Sequence, residues 1–98
     1  MSLTATKVVL QGTIEVPPTA LEAVVAELAT HVALSRAEAG CLVFEVVQNA
    51  ASPTLFAVYE EFSSRHAFDQ HQARVRQSRW GRITSDAVRS YEVRDVDA

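Results

Sequence analysis

Apolar and polar residues alternate over residues 4–16, near the start of the chain. The alternation predicts a strand with one buried face, because successive side chains of a strand point to opposite sides. Gly12 falls on the apolar face, where it suggests a bulge or a close approach by another group. The apolar side chains of this face are Val8, Leu10, Ile14 and Val16.

A helical pattern follows the two consecutive prolines that end this strand. Thr19 and Glu22 have the spacing of a capping box, which predicts that the helix begins there. The helix should extend to about Arg36, with Gly40 marking the turn after it. Apolar residues recur at the helical period at Leu21, Val24, Val25, Leu28 and Val32.

Two further strands are predicted in the middle of the chain. Residues 41–48 are almost continuously apolar and β-branched, which is typical of a central strand. Residues 54–62 form the next strand, and the short turn at 49–53 makes the two an antiparallel hairpin. One face of the later strand carries Phe56, Val58, Glu60 and Phe62.

A second helix and a last strand complete the pattern. Ser63 or Ser64 is expected to cap the helix. Trp80 and Gly81 are expected to close it or to bend it into another short helical turn, and residues 87–96 alternate as a strand. The inner face of this helix is predicted to hold Ala67, Phe68, His71 and Val75.

The order of strand, helix, hairpin, helix and strand is the β-α-β-β-α-β pattern of a ferredoxin-like α+β fold. Residues 1–98 are expected to form a single domain with a core of about 7–93. The two helices should cover one face of an antiparallel sheet. The chain is too short to supply a third layer, so a second copy is expected to cover the other face, which predicts a homodimer.

Composition and charge narrow the classes of partner. The net charge of −3 argues against nucleic acid, and no apolar run reaches the roughly 20 residues needed to cross a membrane. The N-terminus lacks the basic and apolar segments of a secretory signal. Cys41 is the only cysteine and cannot form an internal disulfide, so a reducing cytoplasm is the expected location.

Glu60 and His71 are the residues that we expect to carry chemistry. A carboxylate at Glu60, between Val58 and Phe62, either reaches solvent at the sheet edge or is desolvated, with a raised pKa, beside a pocket. His71 on the inner helix face is either a core histidine or a partner of Glu60 across the layer. Such a pair could position a substrate hydroxyl and remove its proton.

Other side chains have weaker signals. Trp80 and Tyr59 either pack in the core or an interface, or form a wall for a flat aromatic substrate. His66 is expected at the surface, and His31 borders the stripe of the first helix as a weaker candidate. The three histidines lack the spacing of metal ligands, so no metal site is predicted.

Five arginines fall within one short stretch of the sequence. They form either a solvated helix face or a cationic rim that attracts an anionic or phenolate-like substrate. The five are Arg65, Arg74, Arg76, Arg79 and Arg82.

Three segments of the chain resemble the antibiotic biosynthesis monooxygenase family, a group of small quinol-monooxygenase-like proteins. The family pattern has Gly-Cys-Leu at the start of the second strand, Glu-x-aromatic at the end of the third, and a histidine on the next helix. Residues 40–42, Glu60 with Phe62, and His71 match this pattern. The resemblance covers about residues 7–93.

The resemblance implies a dimeric α+β barrel in which two sheets pack face to face. It also implies oxidation of a quinol or an aromatic polyketide-like molecule with O₂, without flavin, haem, metal or any other cofactor. On this view Glu60 and His71 orient and deprotonate the substrate. The substrate-binding residues would be Tyr59, Phe62, Phe68, Arg76 and Trp80.

The chain departs from the family pattern at three positions. Arg76 stands where the family commonly has a second histidine, Phe62 where it has Trp, and Ala39 where it has Pro. Two other functions stay open, because a fold alone does not choose among activities. One is a non-catalytic dimeric module that binds a small ligand, and the other is an isomerase or degradative enzyme for a small signalling molecule.

Overall fold

The computed structural model describes residues 6–97, so the first two residues of the first predicted strand lie outside the described residues. The predicted order of strands and long helices is confirmed, and two short helices are added, one before the first long helix and one before the last strand. The second of these contains Trp80 and Gly81, which agrees with the predicted alternative of another short helical turn. The elements are β1 (Thr6–Glu15), a short 3-10 helix (Pro18–Ala20), α1 (Leu21–Arg36), β2 (Cys41–Gln48), β3 (Leu55–Phe62), α2 (Arg65–Gln77), α3 (Arg79–Ile83) and β4 (Val88–Asp97).

The four strands form one sheet in the order β2-β3-β1-β4, and all neighbouring strands are antiparallel. This is the ferredoxin-like arrangement that the element order predicts. The prediction that residues 41–48 form a central strand is wrong, because β2 lies at an edge. The run is apolar because both faces of β2 carry apolar side chains. Phe44 on one face is buried in the core, whereas Val47 on the other face is 61% exposed.

The core lies between the helices and one face of the sheet, which we call the inner face. Paired residues of neighbouring strands share a face, so the register places Glu60 beside Leu10 of β1 and Phe44 of β2 on the inner face. The core side chains of the strands are Val8, Leu10, Ile14, Val16, Phe44, Phe56, Val58 and Phe62. Glu60 is thus a carboxyl group within an otherwise apolar layer.

The two long helices begin differently. Ser64 accepts a hydrogen bond from the backbone N–H of Ala67, so the predicted cap of α2 is confirmed at the second of the two candidate serines. The capping box predicted from Thr19 and Glu22 is wrong. Thr19 already lies within the 3-10 helix, and Ala20 precedes α1 without any side-chain cap.

Gly12 and Gly40 stand where a side chain would not fit. A Cβ on Gly12 would lie 2.0 Å from the carbonyl oxygen of Ser90, so β4 approaches β1 closely there, as the sequence suggested. Gly40 has a φ of 86°, and a Cβ there would lie 2.6 Å from the Cβ of Ala67. The turn after α1 therefore packs directly against α2.

The other side of the sheet, which we call the open face, carries no helix among the described residues. Val47 and Val88 project from this face and are 61% and 65% exposed. None of the helices within residues 6–97 combines the length and the apolar character needed to cross a membrane.

Candidate functional site

A cavity of about 280 Å³ lies between the inner face and the helices. Strands β1, β2 and β3 supply apolar walls from Leu10, Ile14, Val46 and Val58. The polar and aromatic walls come from His31, Glu60, His71, Arg76, Trp80, Arg89 and Tyr91. A cavity whose wall combines apolar side chains with convergent polar groups is typical of a small-molecule site.

Glu60 lies in the middle of the sheet and is only 5% exposed. Its Oε1 atom has no hydrogen-bond partner among residues 6–97. Burial, with a smaller contribution from the nearby charge of Glu38, raises the pKa of Glu60 to about 8. The carboxyl group is therefore mostly protonated near neutral pH, and it can donate a hydrogen bond from the cavity wall.

His71 faces Glu60 from α2. Its Nε2 lies 3.6 Å from Glu60 Oε1, too far for a hydrogen bond, and its Nδ1 lies 2.6 Å from Glu38 Oε1. Burial lowers the pKa of His71, and the contact with Glu38 partly opposes that shift. We infer that the neutral ring donates from Nδ1 to Glu38, which leaves the lone pair of Nε2 free on the side of Glu60.

Glu38 orients His71 through a contact of 2.6 Å, although nothing in the sequence marks Glu38 as a site residue. It lies in the turn between α1 and β2, where no periodicity marks it. Its second oxygen accepts a hydrogen bond of 2.7 Å from Nε of Arg74, and Arg74 also donates to Ser35. The carboxylate is thereby held from two sides, as an orienting group for a basic histidine requires.

The aromatic residues divide into those that line the cavity and those that pack behind it. Trp80 belongs to the core and also lines the cavity, where it stacks on His31. Phe62 packs against the His71 ring at a centroid distance of 4.9 Å, and Phe68 packs against Phe62 at 5.7 Å. Phe62 and Phe68 support His71 from the core instead of forming the cavity wall, so their expected place at the substrate requires correction.

Tyr59 also differs from the sequence prediction. Its register partner is Gln11, on the open face, and its hydroxyl group donates to Glu61 there. The alternation of β3 puts Tyr59 on the opposite side of the sheet from Glu60, so it does not line the cavity. Tyr91 of β4 supplies the tyrosine of the cavity instead, and burial raises its pKa to about 12.

The predicted arginine run divides among several roles. Arg76 lines the cavity, whereas Arg65 pairs with Asp95 and Arg79 with Glu27 at the surface. Arg89 is a second cation in the wall, and it lies outside the arginine run that the sequence shows. Two hydrogen bonds to Thr84, at 2.7 and 3.2 Å, hold the Arg89 guanidinium in place.

The remaining histidines lie in different environments. His66 is exposed on α2, as predicted. His31 is buried and lines the cavity, although its position beside the helical stripe marked it only weakly. Within residues 6–97 no three His, Cys, Asp or Glu side chains group in a way that could hold a metal ion.

Comparisons with known proteins agree with this architecture. A family model described as antibiotic biosynthesis monooxygenase matches residues 7–82. A solved structure from Pseudomonas aeruginosa shares 28% identity over 100% of this chain and 97% of its own, with a TM-score of 0.70. A candidate antibiotic biosynthesis monooxygenase from Bacteroides thetaiotaomicron shares 27% identity over 96% and 88%, with a TM-score of 0.72.

Solved structures with lower sequence identity show similarity of the fold alone. A protein from Nitrosomonas europaea shares 18% identity over 100% of this chain and 94% of its own, with a TM-score of 0.69. The comparison with curated proteins gave no match.

Proposed function

The chain belongs to the antibiotic biosynthesis monooxygenase family, and on that premise we propose that it is a cofactor-independent monooxygenase for a quinol or a related aromatic molecule. Family membership supports a general monooxygenase-like or small-molecule-binding role. One observation carries the finer proposal: Nε2 of His71 lies 3.6 Å from Oε1 of the buried Glu60, and both side chains line the same cavity.

His71 is proposed as the general base. Its Nε2 takes the proton of a substrate hydroxyl, and the Glu38 carboxylate at Nδ1 stabilises the resulting imidazolium. A depressed pKa keeps the imidazole unprotonated, and hence able to act, near neutral pH. The protonated carboxyl of Glu60 donates to the same substrate oxygen and holds it beside His71.

The deprotonated substrate then supplies the electrons for the reaction. An electron-rich phenolate transfers an electron to O₂, and recombination of the two radicals forms the new C–O bond. For a quinol, one oxygen atom enters the ring as a hydroxyl group, the ring becomes a quinone, and the other oxygen atom leaves as water. Both electron pairs come from the substrate, so the balance needs no external reductant. The apolar side chains of the wall would limit the contact of water with the reactive intermediates.

The proposal includes a homodimer formed through the open face. This side of the sheet leaves Val47 and Val88 largely exposed in the single chain, although apolar residues of strands are usually covered. A second copy of the same face would cover both, because a two-fold interface pairs a surface with itself. The cavity lies on the inner face and would remain accessible from the helical side.

Oxygen consumption tests the catalytic proposal. Metal-free protein supplied with a naphthohydroquinone or a dithranol-like substrate should consume O₂ and incorporate one atom of isotopically labelled O₂ into the product. His71→Ala and Glu60→Ala should each lower the rate by roughly 10²-fold or more, as expected for a proton-transfer group. His66→Ala on the exposed side of the same helix is the matched control. Full rates in both cavity variants would contradict the assignment of the site.

A second candidate function uses the same pair without O₂. Arg76 and Arg89 place two cations in the cavity wall, which favours an anionic substrate. His71 and Glu60 could then move protons within that substrate as an isomerase does. Turnover in O₂-free solution would favour the isomerase, and binding without turnover under either condition would favour a non-catalytic module.

A further inference from the structure

His31 is a buried polar side chain that lines the cavity and to which the proposed reaction assigns no role. It lies on α1 and is 5% exposed, and its Nδ1 has no hydrogen-bond partner among the described residues. Burial lowers its pKa to about 3, so the ring is neutral and offers one N–H donor and one acceptor nitrogen. A buried polar group without a partner costs stability, and an apolar side chain at this position would avoid that cost.

Two aromatic side chains hold the His31 ring in the cavity wall. The indole of Trp80 stacks on it with a centroid distance of 4.2 Å and an interplanar angle of 2°. Phe44 meets it edge-on at 5.2 Å and 76°. Turning the imidazole towards solvent would break both contacts, so its nitrogen atoms remain near the space that a bound molecule would occupy.

His31 and His71 reach the cavity from different helices. The ring of Phe44 contacts both, with centroid distances of 5.2 Å to His31 and 5.3 Å to His71. A flat aromatic molecule that placed one oxygen at His71 would have its other edge within reach of the part of the wall that His31 of α1 and Trp80 of α3 supply.

We propose that His31 is a specificity-determining residue that hydrogen-bonds a second oxygen of the substrate. The cavity would then select aromatic molecules with two oxygen substituents over simple phenols. This inference rests on the proposed function, which places the first oxygen at His71. A phenol with one oxygen leaves the buried imidazole unpaired, and sites built to bond a polar group discriminate against ligands that lack it.

Binding in O₂-free solution tests the proposal, with naphthohydroquinone and α-naphthol as a matched pair in titration calorimetry. The protein should bind naphthohydroquinone about tenfold more tightly than α-naphthol. His31→Phe keeps a flat ring against Trp80 but removes both nitrogens. It should weaken naphthohydroquinone about tenfold and leave α-naphthol unchanged. His31→Gln, which retains a donor and an acceptor, should recover part of the loss.

Two further measurements show whether a loss of affinity in His31→Phe comes from misfolding of the variant. Trp80 is the only tryptophan of the chain, so the NMR resonance of its indole N–H reports directly on this wall. It should shift when either ligand binds, in the native protein and in His31→Phe. The exposed-site variant His66→Phe should bind both ligands as the native protein does.

Several outcomes would overturn the role of His31. In His31→Phe these are an equal loss of affinity for both ligands, or an unchanged affinity for naphthohydroquinone. In the native protein they are tighter binding of α-naphthol than of naphthohydroquinone, or no binding of either ligand. The test involves no turnover, so it fails separately from the proposed function. If the protein consumes O₂ but does not discriminate between the two ligands, the monooxygenase proposal stands and the role of His31 is wrong. If it discriminates between the ligands but does not consume O₂, the role of His31 stands and the monooxygenase proposal is wrong.

Discussion

Glu60 shows how a single buried carboxyl group can link stability to pH. Its neighbours in the register are Leu10 and Phe44, and neither can hydrogen-bond a carboxylate. The folded protein therefore favours the protonated form, which raises the pKa to about 8 from an ordinary value of 4.5. In the unfolded chain the same group ionises near 4.5, so the two states bind different numbers of protons between these values.

This difference predicts a loss of stability as pH rises. Below about pH 4.5 both states hold the proton, and Glu60 contributes no pH dependence. Between about pH 4.5 and 8 the unfolded state releases its proton first, so the free energy of unfolding falls by on the order of 3–5 kcal/mol. Glu60→Gln cannot ionise, so its stability relative to the native protein should increase by that amount from about pH 4 to pH 9.

Urea denaturation at a series of pH values measures this change. The control is Glu22→Gln, which removes a carboxylate from the exposed side of α1, where solvent screens the charge, and should therefore change stability much less than Glu60→Gln does. A constant difference between Glu60→Gln and the native protein across the range would show that Glu60 is ionised in the folded state.

At the scale of elements, α2 connects the local sequence to the site. The helix begins at a serine cap and carries His71 on its buried face. Its start also packs against Gly40 at the end of the preceding crossover. Because His71 is held by the helix and by Glu38 of the turn before β2, both elements must be in place before Nε2 faces Glu60.

The two serines before α2 provide a matched test of the cap. Ser64→Ala removes the acceptor for the backbone N–H of Ala67 and should lower the free energy of unfolding by about 1 kcal/mol. Ser63→Ala removes a hydroxyl from the neighbouring exposed position and should have a smaller effect. Equal losses in chemical denaturation would contradict the assignment of the cap to Ser64.

At the scale of the whole molecule, the sheet has a covered face and an open one. The inner face has three helices over it and encloses the cavity, whereas the open face leaves apolar side chains of β2 and β4 in contact with solvent. A chain of 98 residues buries a limited fraction of its surface, so pairing through the open face would add the burial that one copy lacks.

A charge on the open face should therefore prevent dimer formation. Val47→Asp places a carboxylate where the second copy would pack, and burying an unpaired charge is costly. The native protein should sediment as a dimer and Val47→Asp as a monomer at equal concentration. Val25→Asp is the control, because Val25 is 47% exposed on α1, away from the sheet. Dissociation by both variants, or by neither, would contradict an interface on the open face.

The sequence by itself determined those features that depend on near neighbours in the chain. Alternation identified β1 and β4, and a continuous apolar run identified β2. The helical period after Ser63 and Ser64 identified α2, and Gly40 marked the turn after α1. These signals are local, because strand and helix faces repeat every two to four residues. The presence of Glu60 and His71 on buried faces followed from the same periods.

The tertiary structure alone decided which side chains meet. Glu38 contacts His71 across 33 residues of sequence, and no pattern in the turn before β2 or in α2 predicts this contact. The local alternation of β3 already separates Tyr59 from Glu60, whereas Tyr91 lines the cavity because the pairing of β4 with β1 places it on the inner face. The edge position of β2 and the burial of His31 likewise depend on how the crossovers pack. Contacts between distant elements follow from that packing, which no local period contains.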